Sequence, residues 1–193
     1  AVLTAVGMPG IGKTAIPKQA AKERNAPYAA LHLPTMSIED FHIPTTASDS
    51  KQYYDRRIPR KFQALLEYVE KCKKENKGVM PPGRNPILAF EELNRATDKA
   101  VTRAAFTTLE DRMIGDVRIP DEVQFVVTMN PTGGSMAVNE FERDPAHRRR
   151  LMMVGIFPSH PDFIKYARSR GESFHGKVFE HLEAQPMWFW DDK

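Results

Sequence analysis

Apolar positions along the chain fall into two kinds of run. Short, nearly continuous apolar stretches at 2–6, 29–33, 87–90, 124–128 and 151–156 have the length of strands buried on both faces. Between them lie segments with helical spacing. Residues 13–24 read as a helix that tolerates Pro17 because it falls near the first turn, where an N–H has no intrahelical partner anyway. Phe62, Leu65, Leu66, Val69 and Cys72 recur at helical intervals, so the spacing predicts an amphipathic helix over 59–75 whose packed stripe includes the thiol. Val101, Ala105 and Leu109 mark another helix, capped by Thr97 or Asp98. Strands alternating with helices predict a parallel sheet covered on both faces.

Two stretches resist this rhythm. Residues 35–57 are polar and irregular, and long for a connection inside a compact domain, which marks a functional or disordered loop. Residues 77–86 are rich in Gly and Pro and read as a turn-filled link into the next strand. The chain opens in mid-strand at Ala1, so it reads as an excerpt from a longer one.

Composition narrows the class. With 193 residues, 41% of them apolar, the chain can build one α/β domain or one domain plus part of a second. No apolar stretch reaches the length of a membrane span. The single cysteine, Cys72, excludes an internal disulfide framework and fits a reducing, cytoplasmic setting. A net charge of +3 is too mild to indicate nucleic acid by itself. Lys71, Lys73, Lys74 and Lys77 form a basic cluster on and after a helix, which reads as a solvated face more readily than as a nucleic-acid contact. The six histidines show no spacing that suggests a metal site.

The chemistry begins at Gly7-Met8-Pro9-Gly10-Ile11-Gly12-Lys13-Thr14, a full GxxxxGK[ST] phosphate loop between a buried strand and a helix. Gly7, Gly10 and Gly12, with Pro9 and Ile11 between them, let the backbone wrap so that N–H groups and the helix N-terminus face a β-phosphate. Lys13 adds a point charge between the β- and γ-phosphates, and Thr14 offers a hydroxyl to Mg²⁺. ATP and Mg²⁺ are the expected ligands; no guanine-recognition motif of the N/TKxD type is present.

Ile87-Leu88-Ala89-Phe90-Glu91-Glu92 is an apolar strand ending in two carboxylates, and such a strand is expected beside the phosphate loop. Glu91 is assigned to the metal through water and Glu92 to the base that polarises the attacking water. Asn130 closes another buried strand, where its amide can orient that water or contact the γ-phosphate; a turn-forming asparagine before Pro131 is the alternative.

Phe90-Glu91-Glu92-Leu93-Asn94-Arg95-Ala96 resembles the D-E-I-N-R-A segment of MoxR-type AAA+ ATPases and their phage and dynein-related cousins. Further on, Asp111-Arg112-Met113-Ile114-Gly115-Asp116-Val117-Arg118-Ile119-Pro120 resembles that family's helix end and β-hairpin. Val126-Val127-Thr128-Met129-Asn130-Pro131 resembles its "sensor 1" strand, and Asp144-Pro145-Ala146-His147-Arg148-Arg149-Arg150-Leu151 the segment with its arginine finger. The motifs run in the family's order over nearly the whole chain. Glu91 replaces the family's aspartate, Leu151 its phenylalanine, and the chain ends about where the helical lid with its "sensor 2" arginine follows in relatives.

The resemblance implies a three-layer α/β P-loop fold with about five parallel strands, a nucleotide-binding core over 1–158, and a linker helix with the start of a lid over 159–193. It also implies a ring, a hexamer, in which Arg150, or Arg149 in its stead, completes the ATP site of the neighbouring subunit. Hydrolysis would then remodel a protein partner, such as a von Willebrand A domain protein. Two rivals remain: a nucleic-acid-dependent motor or GTP-driven restriction subunit, and a nucleotide-binding scaffold without turnover. Trp188, Phe189 and Trp190 read as packing for the lid, with base stacking as the alternative.

Overall fold

A computed structural model describes residues 1–46, 54–132, 145–157, 159–171 and 175–185. The predicted aromatic group Trp188, Phe189 and Trp190 lies outside these residues. The chain divides into two compact units, Ala1–Gly155 and Ile156–Lys193.

The first unit is built on five parallel strands: β1 (Val2–Val6), β2 (Tyr28–His32), β5 (Ile87–Glu91), β8 (Gln124–Met129) and β9 (Leu151–Gly155). Their order across the sheet is β2-β5-β8-β1-β9. The acidic strand β5 does not pair with β1, because the asparagine-bearing β8 stands between them. Nothing local in the chain encodes that order.

The register puts Leu31, Phe90 and Val127 side by side, with Ala29, Leu88 and Phe125 in the row before. Side chains alternate along a strand, so these residues share one face. They form a buried cluster with Phe62, Leu65 and Val69 of α2 (Arg60–Glu75) and Val101, Ala105 and Leu109 of α3 (Lys99–Asp111). Cys72 is buried on the same stripe of α2, and Asp98 caps α3 by accepting from the Ala100 N–H at 2.7 Å. Helix α1 (Ala15–Glu23) packs against β2 and β5 through a face that buries Pro17 and Ala21. The architecture is a three-layer α/β P-loop fold.

Segment 35–57 is more regular than its composition suggested. It holds a 3-10 turn at Ile38–Asp40, closed by a capping box between Ser37 and Asp40, and an antiparallel ribbon of β3 (Ile43–Thr46) with β4 (Tyr54–Arg57). A second ribbon, β6 (Met113–Ile114) with β7 (Val117–Arg118), follows α3 as expected. Arg112 knots it in place from a left-handed C-cap at φ 56°. Its guanidinium donates to the carbonyls of Ile119 (3.2 Å), Pro120 (2.6 Å) and Val123 (2.6 Å) and lies 4.1 Å from the Phe125 ring. A short helix α4 (Pro145–Arg150) precedes β9.

The second unit contains α5 (His160–Ser169) and α6 (Gly176–Ala184). His160 Nε2 lies 2.9 Å from the Leu182 carbonyl, and Arg168 pairs with Glu183. Among the described residues, no helix is long and apolar enough to cross a membrane.

Candidate functional site

The glycine loop leaves the end of β1 and enters α1 in a tight wrap. Gly7 N–H donates to the Met129 carbonyl at 3.2 Å, so the loop starts beside the end of β8. Gly10 and Gly12 sit at φ +82° and +91°, and a Cβ at either would touch nothing within 4 Å. Backbone conformation, not space, therefore demands glycine at both positions. Pro9 and Gly10 are exposed, and Ile11 and Gly12 are half-buried.

Lys13 is only 7% exposed, and its Nζ donates to the carbonyls of Gly7 and Met8, each at 2.7 Å. The ammonium thus stands in the mouth of its own loop. Burial lowers its pKa, and the negative charge of Glu92 opposes that shift. Thr14 occupies the N-cap of α1, yet its exposed side chain makes no cap bond. That hydroxyl is left for something else.

The two carboxylates diverge, as adjacent residues at a strand end must. Glu91 turns to β2: Oε1 accepts from Tyr28 Oη at 2.9 Å, and Oε2 lies 3.7 Å from His32 Nδ1. Burial, then the hydrogen bond to Glu91 and its charge, push the Tyr28 phenol above its usual range. Glu92 adopts a left-handed backbone at φ 55°, rare for a side chain with a Cβ. Its N–H donates to Thr128 Oγ1 at 3.1 Å, and its Oε2 accepts from Arg95 Nη1 at 2.7 Å.

Asn130 follows β8 and is fully buried, and among the described residues neither its Nδ2 nor its Oδ1 has a hydrogen-bond partner. Buried amides are almost always bonded, so an orphan donor and acceptor beside a phosphate loop suit a polar guest. Its main chain is held by Asn94, from a 3-10 turn at Leu93–Arg95.

The predicted arginines stand apart from these groups in their bonding. Arg150 Nε pairs with Glu110 Oε1 of α3 at 2.5 Å, and Arg149 is exposed. In the basic cluster, Lys73 pairs with Glu122 at 2.5 Å and Lys71 with Glu75 at 4.0 Å. Half of that cluster's charge is thereby answered within the fold.

Sequence reasoning missed Tyr28, His32, Asn94 and Thr128. His32 stands directly opposite Glu91 in the register, a cross-strand pair visible only once the strands are ordered. Asn94 carried a signal of its own, a polar residue between Leu93 and Ala96, which are both buried.

The donors present fit a triphosphate with a divalent cation. Backbone N–H groups in a wrapped loop and the Lys13 ammonium suit phosphate oxygens, and the uncommitted Thr14 hydroxyl suits a hard cation. Searches for a matching family model and for a curated relative found none. Among solved structures, the chain is similar to a candidate ATPase from Cytophaga hutchinsonii (14% identity, TM-score 0.49, 90% of this chain and 47% of that one). It is also similar to the RuvB Holliday junction branch migration motor of Thermotoga maritima (17% identity, TM-score 0.43, 87% of this chain and 43% of that one). The chain spans less than half the length of either structure. Likeness this distant says nothing about activity.

Proposed function

We propose that this chain binds ATP with Mg²⁺ at the glycine loop and hydrolyses the terminal phosphate bond. The observation behind this reading is a convergence at the start of α1. Buried Lys13 bonds the loop's own carbonyls, the charge of Glu92 acts on it, and the unbonded amide belongs to Asn130, which follows the Met129 carbonyl bonded by Gly7.

Each group has a task in that reading. The Lys13 ammonium exchanges the Gly7 and Met8 carbonyls for β- and γ-phosphate oxygens, and the ligand's negative charge offsets the cost of its burial. Thr14 and, through water, Glu91 are the assigned holders of the cation. When bound, Mg²⁺ supplies charge neutralisation on the phosphate oxygens. Arg95 bonds Oε2 of Glu92, so Oε1 is the oxygen assigned to take a proton from the attacking water. The Asn130 amide orients that water or donates to the γ-phosphate. Arg150 or Arg149 serves the site of a neighbouring subunit, which makes the working form a ring. Its output, by resemblance of the ordered motifs, is the remodelling of a protein partner.

A second reading is nucleotide binding without turnover, and one observation favours it. The carboxylate of Glu91 is already engaged by Tyr28 and approached by His32 rather than free for a cation shell.

Two variants test the proposal. Lys13→Ala should abolish tight ATP binding in a calorimeter, and binding at parental strength would place the site elsewhere. Glu92→Gln should bind ATP and leave it uncleaved. A parent that binds without turnover would establish the scaffold reading instead.

A further inference from the structure

Both polar atoms of the Asn94 side chain are committed to a single residue. Nδ2 donates to the Asn130 carbonyl at 2.7 Å, and Oδ1 accepts from the Asn130 N–H at 3.1 Å. Both asparagines are fully buried. The pair has the form of one rung of a sheet ladder made with a side chain. The register of β5 with β8 runs to Phe90 opposite Val127, and at Glu92 the chain turns away through a left-handed residue. Asn130, just beyond the end of β8, thus lies past the last rung that β5 supplies. The amide of Asn94 replaces the missing one.

What this rung holds is unusual. The Asn130 side chain is buried, and among the described residues neither Nδ2 nor Oδ1 is bonded. An unbonded buried amide is costly, so it persists only where its backbone cannot relax. Two hydrogen bonds to that backbone on one side, and on the other the Gly7 bond to the preceding carbonyl, remove the freedom to relax.

We propose that Asn94 is a positioning residue for hydrolysis: by clamping the main chain of Asn130 it holds that residue's side-chain amide buried and in register for the γ-phosphate or the attacking water. The proposal rests on the nucleotide reading above. It differs from a merely structural role in one respect. The effect of Asn94 on the reaction must pass through the Asn130 side chain.

A double-mutant cycle in the full-length protein tests this, using Asn94→Ala, Asn130→Ala and the double variant, with kcat, KM and the Kd values for ATP and ADP measured for each. Asn94→Ala should lower kcat about tenfold or more while KM changes less than about twofold, since the amide it misplaces serves the transition state. In the Asn130→Ala background the same change should cost less than about twofold, because coupled residues are not additive. Unaltered ADP affinity shows that the pocket is folded. If Asn94→Ala does not fold, Asn94→Ser, which keeps one hydroxyl for the Asn130 carbonyl, should give an intermediate kcat and the same non-additivity. Equal losses in both backgrounds, or an unchanged kcat, would overturn the positioning role and leave the ATPase reading standing. In a parent that binds ATP without cleaving it, Asn94→Ala should narrow the preference for ATP over ADP only while Asn130 is intact, and an unchanged preference overturns it. A parent that binds no nucleotide removes both readings together.

Discussion

Tyr28 Oη donates a 2.9 Å hydrogen bond to Glu91 Oε1 across adjacent parallel strands, so the acid proposed for the metal is held by a phenol. A carboxylate that must release a partner before joining a cation shell binds that cation less readily. Tyr28→Phe removes the hydroxyl and keeps the ring. It should lower the Mg²⁺ concentration needed for half-maximal turnover, whereas Glu91→Gln should raise it. A magnesium titration of ATPase rate checks both. No shift in either variant would release Glu91 from its metal assignment.

The same phenol makes a prediction at high pH. Its pKa is raised, so the fold favours the protonated form over the unfolded chain. The stability this contributes is complete below the ordinary tyrosine value of about 10 and is lost as pH climbs through the raised folded value. Above that ordinary value the unfolded chain binds fewer protons than the fold, so the unfolding free energy falls with pH. In an alkaline absorbance titration, the latest tyrosine step should disappear in Tyr28→Phe. Retention of that step in the variant assigns it to another tyrosine.

Gly115 is a stability probe. It sits at φ +58° in the turn of the second ribbon, and a Cβ there would lie 3.1 Å from Arg56 Cβ and 3.2 Å from His42 Cβ. Gly115→Ala should cost roughly 1–2 kcal/mol for the left-handed backbone alone, and more for the contacts. Gly83, at φ +73° with nothing within 4 Å, isolates the backbone part. Urea denaturation of the two alanine variants should show Gly115→Ala as the weaker. Equal midpoint shifts would mean that the ribbon and its neighbours yield without cost.

The arginines predict behaviour on mixing. If Arg150 completes a neighbour's site, Arg150→Ala should be nearly inactive alone, and activity of the parent per subunit should rise with concentration. Mixing Arg150→Ala with Lys13→Ala subunits should restore turnover, because an intact pocket then meets an intact arginine. The bond from Arg150 to Glu110 must be exchanged in the process, so Glu110→Gln should lower the concentration at which activity appears. Arg149→Ala, tested the same way, decides which arginine acts. Turnover independent of concentration, with no gain on mixing, would leave a self-sufficient subunit.

The central strand β5 was legible because a strand covered on both faces must be apolar at nearly every position, which leaves the unbroken run Ile87-Leu88-Ala89-Phe90. The ribbon of β3 and β4 was not legible. Ile43-Pro44-Thr45-Thr46 has no alternating apolar face, and proline suits an edge rather than a sheet interior. Caps and loop glycines could be read because their demands are local. The pair Glu91 and Glu92 could be read as carboxylates at a strand end, but not their divergence. Which of them meets Lys13 depends on strand order, a property of long-range packing. Asn94 belongs to the same class, since its partner lies 36 residues away and both bonds are made to main chain.

Strand β8 is fastened at both ends, by the Arg112 knot around the Val123 carbonyl before it and by the Asn94 clamp just after it. The strand between is six residues long, about 20 Å at the usual rise of about 3.3 Å per residue. A slip by one residue would carry Asn130 that same ~3.3 Å, which exceeds the tolerance of any hydrogen bond, and would turn its inward side chains outward. Fastened this way, β8 works as a fixed gauge that sets the distance from the sheet's far rim to the phosphate loop. A variant that loosens either fastening should broaden the placement of Asn130 before it unfolds anything, a fault of calibration rather than of strength.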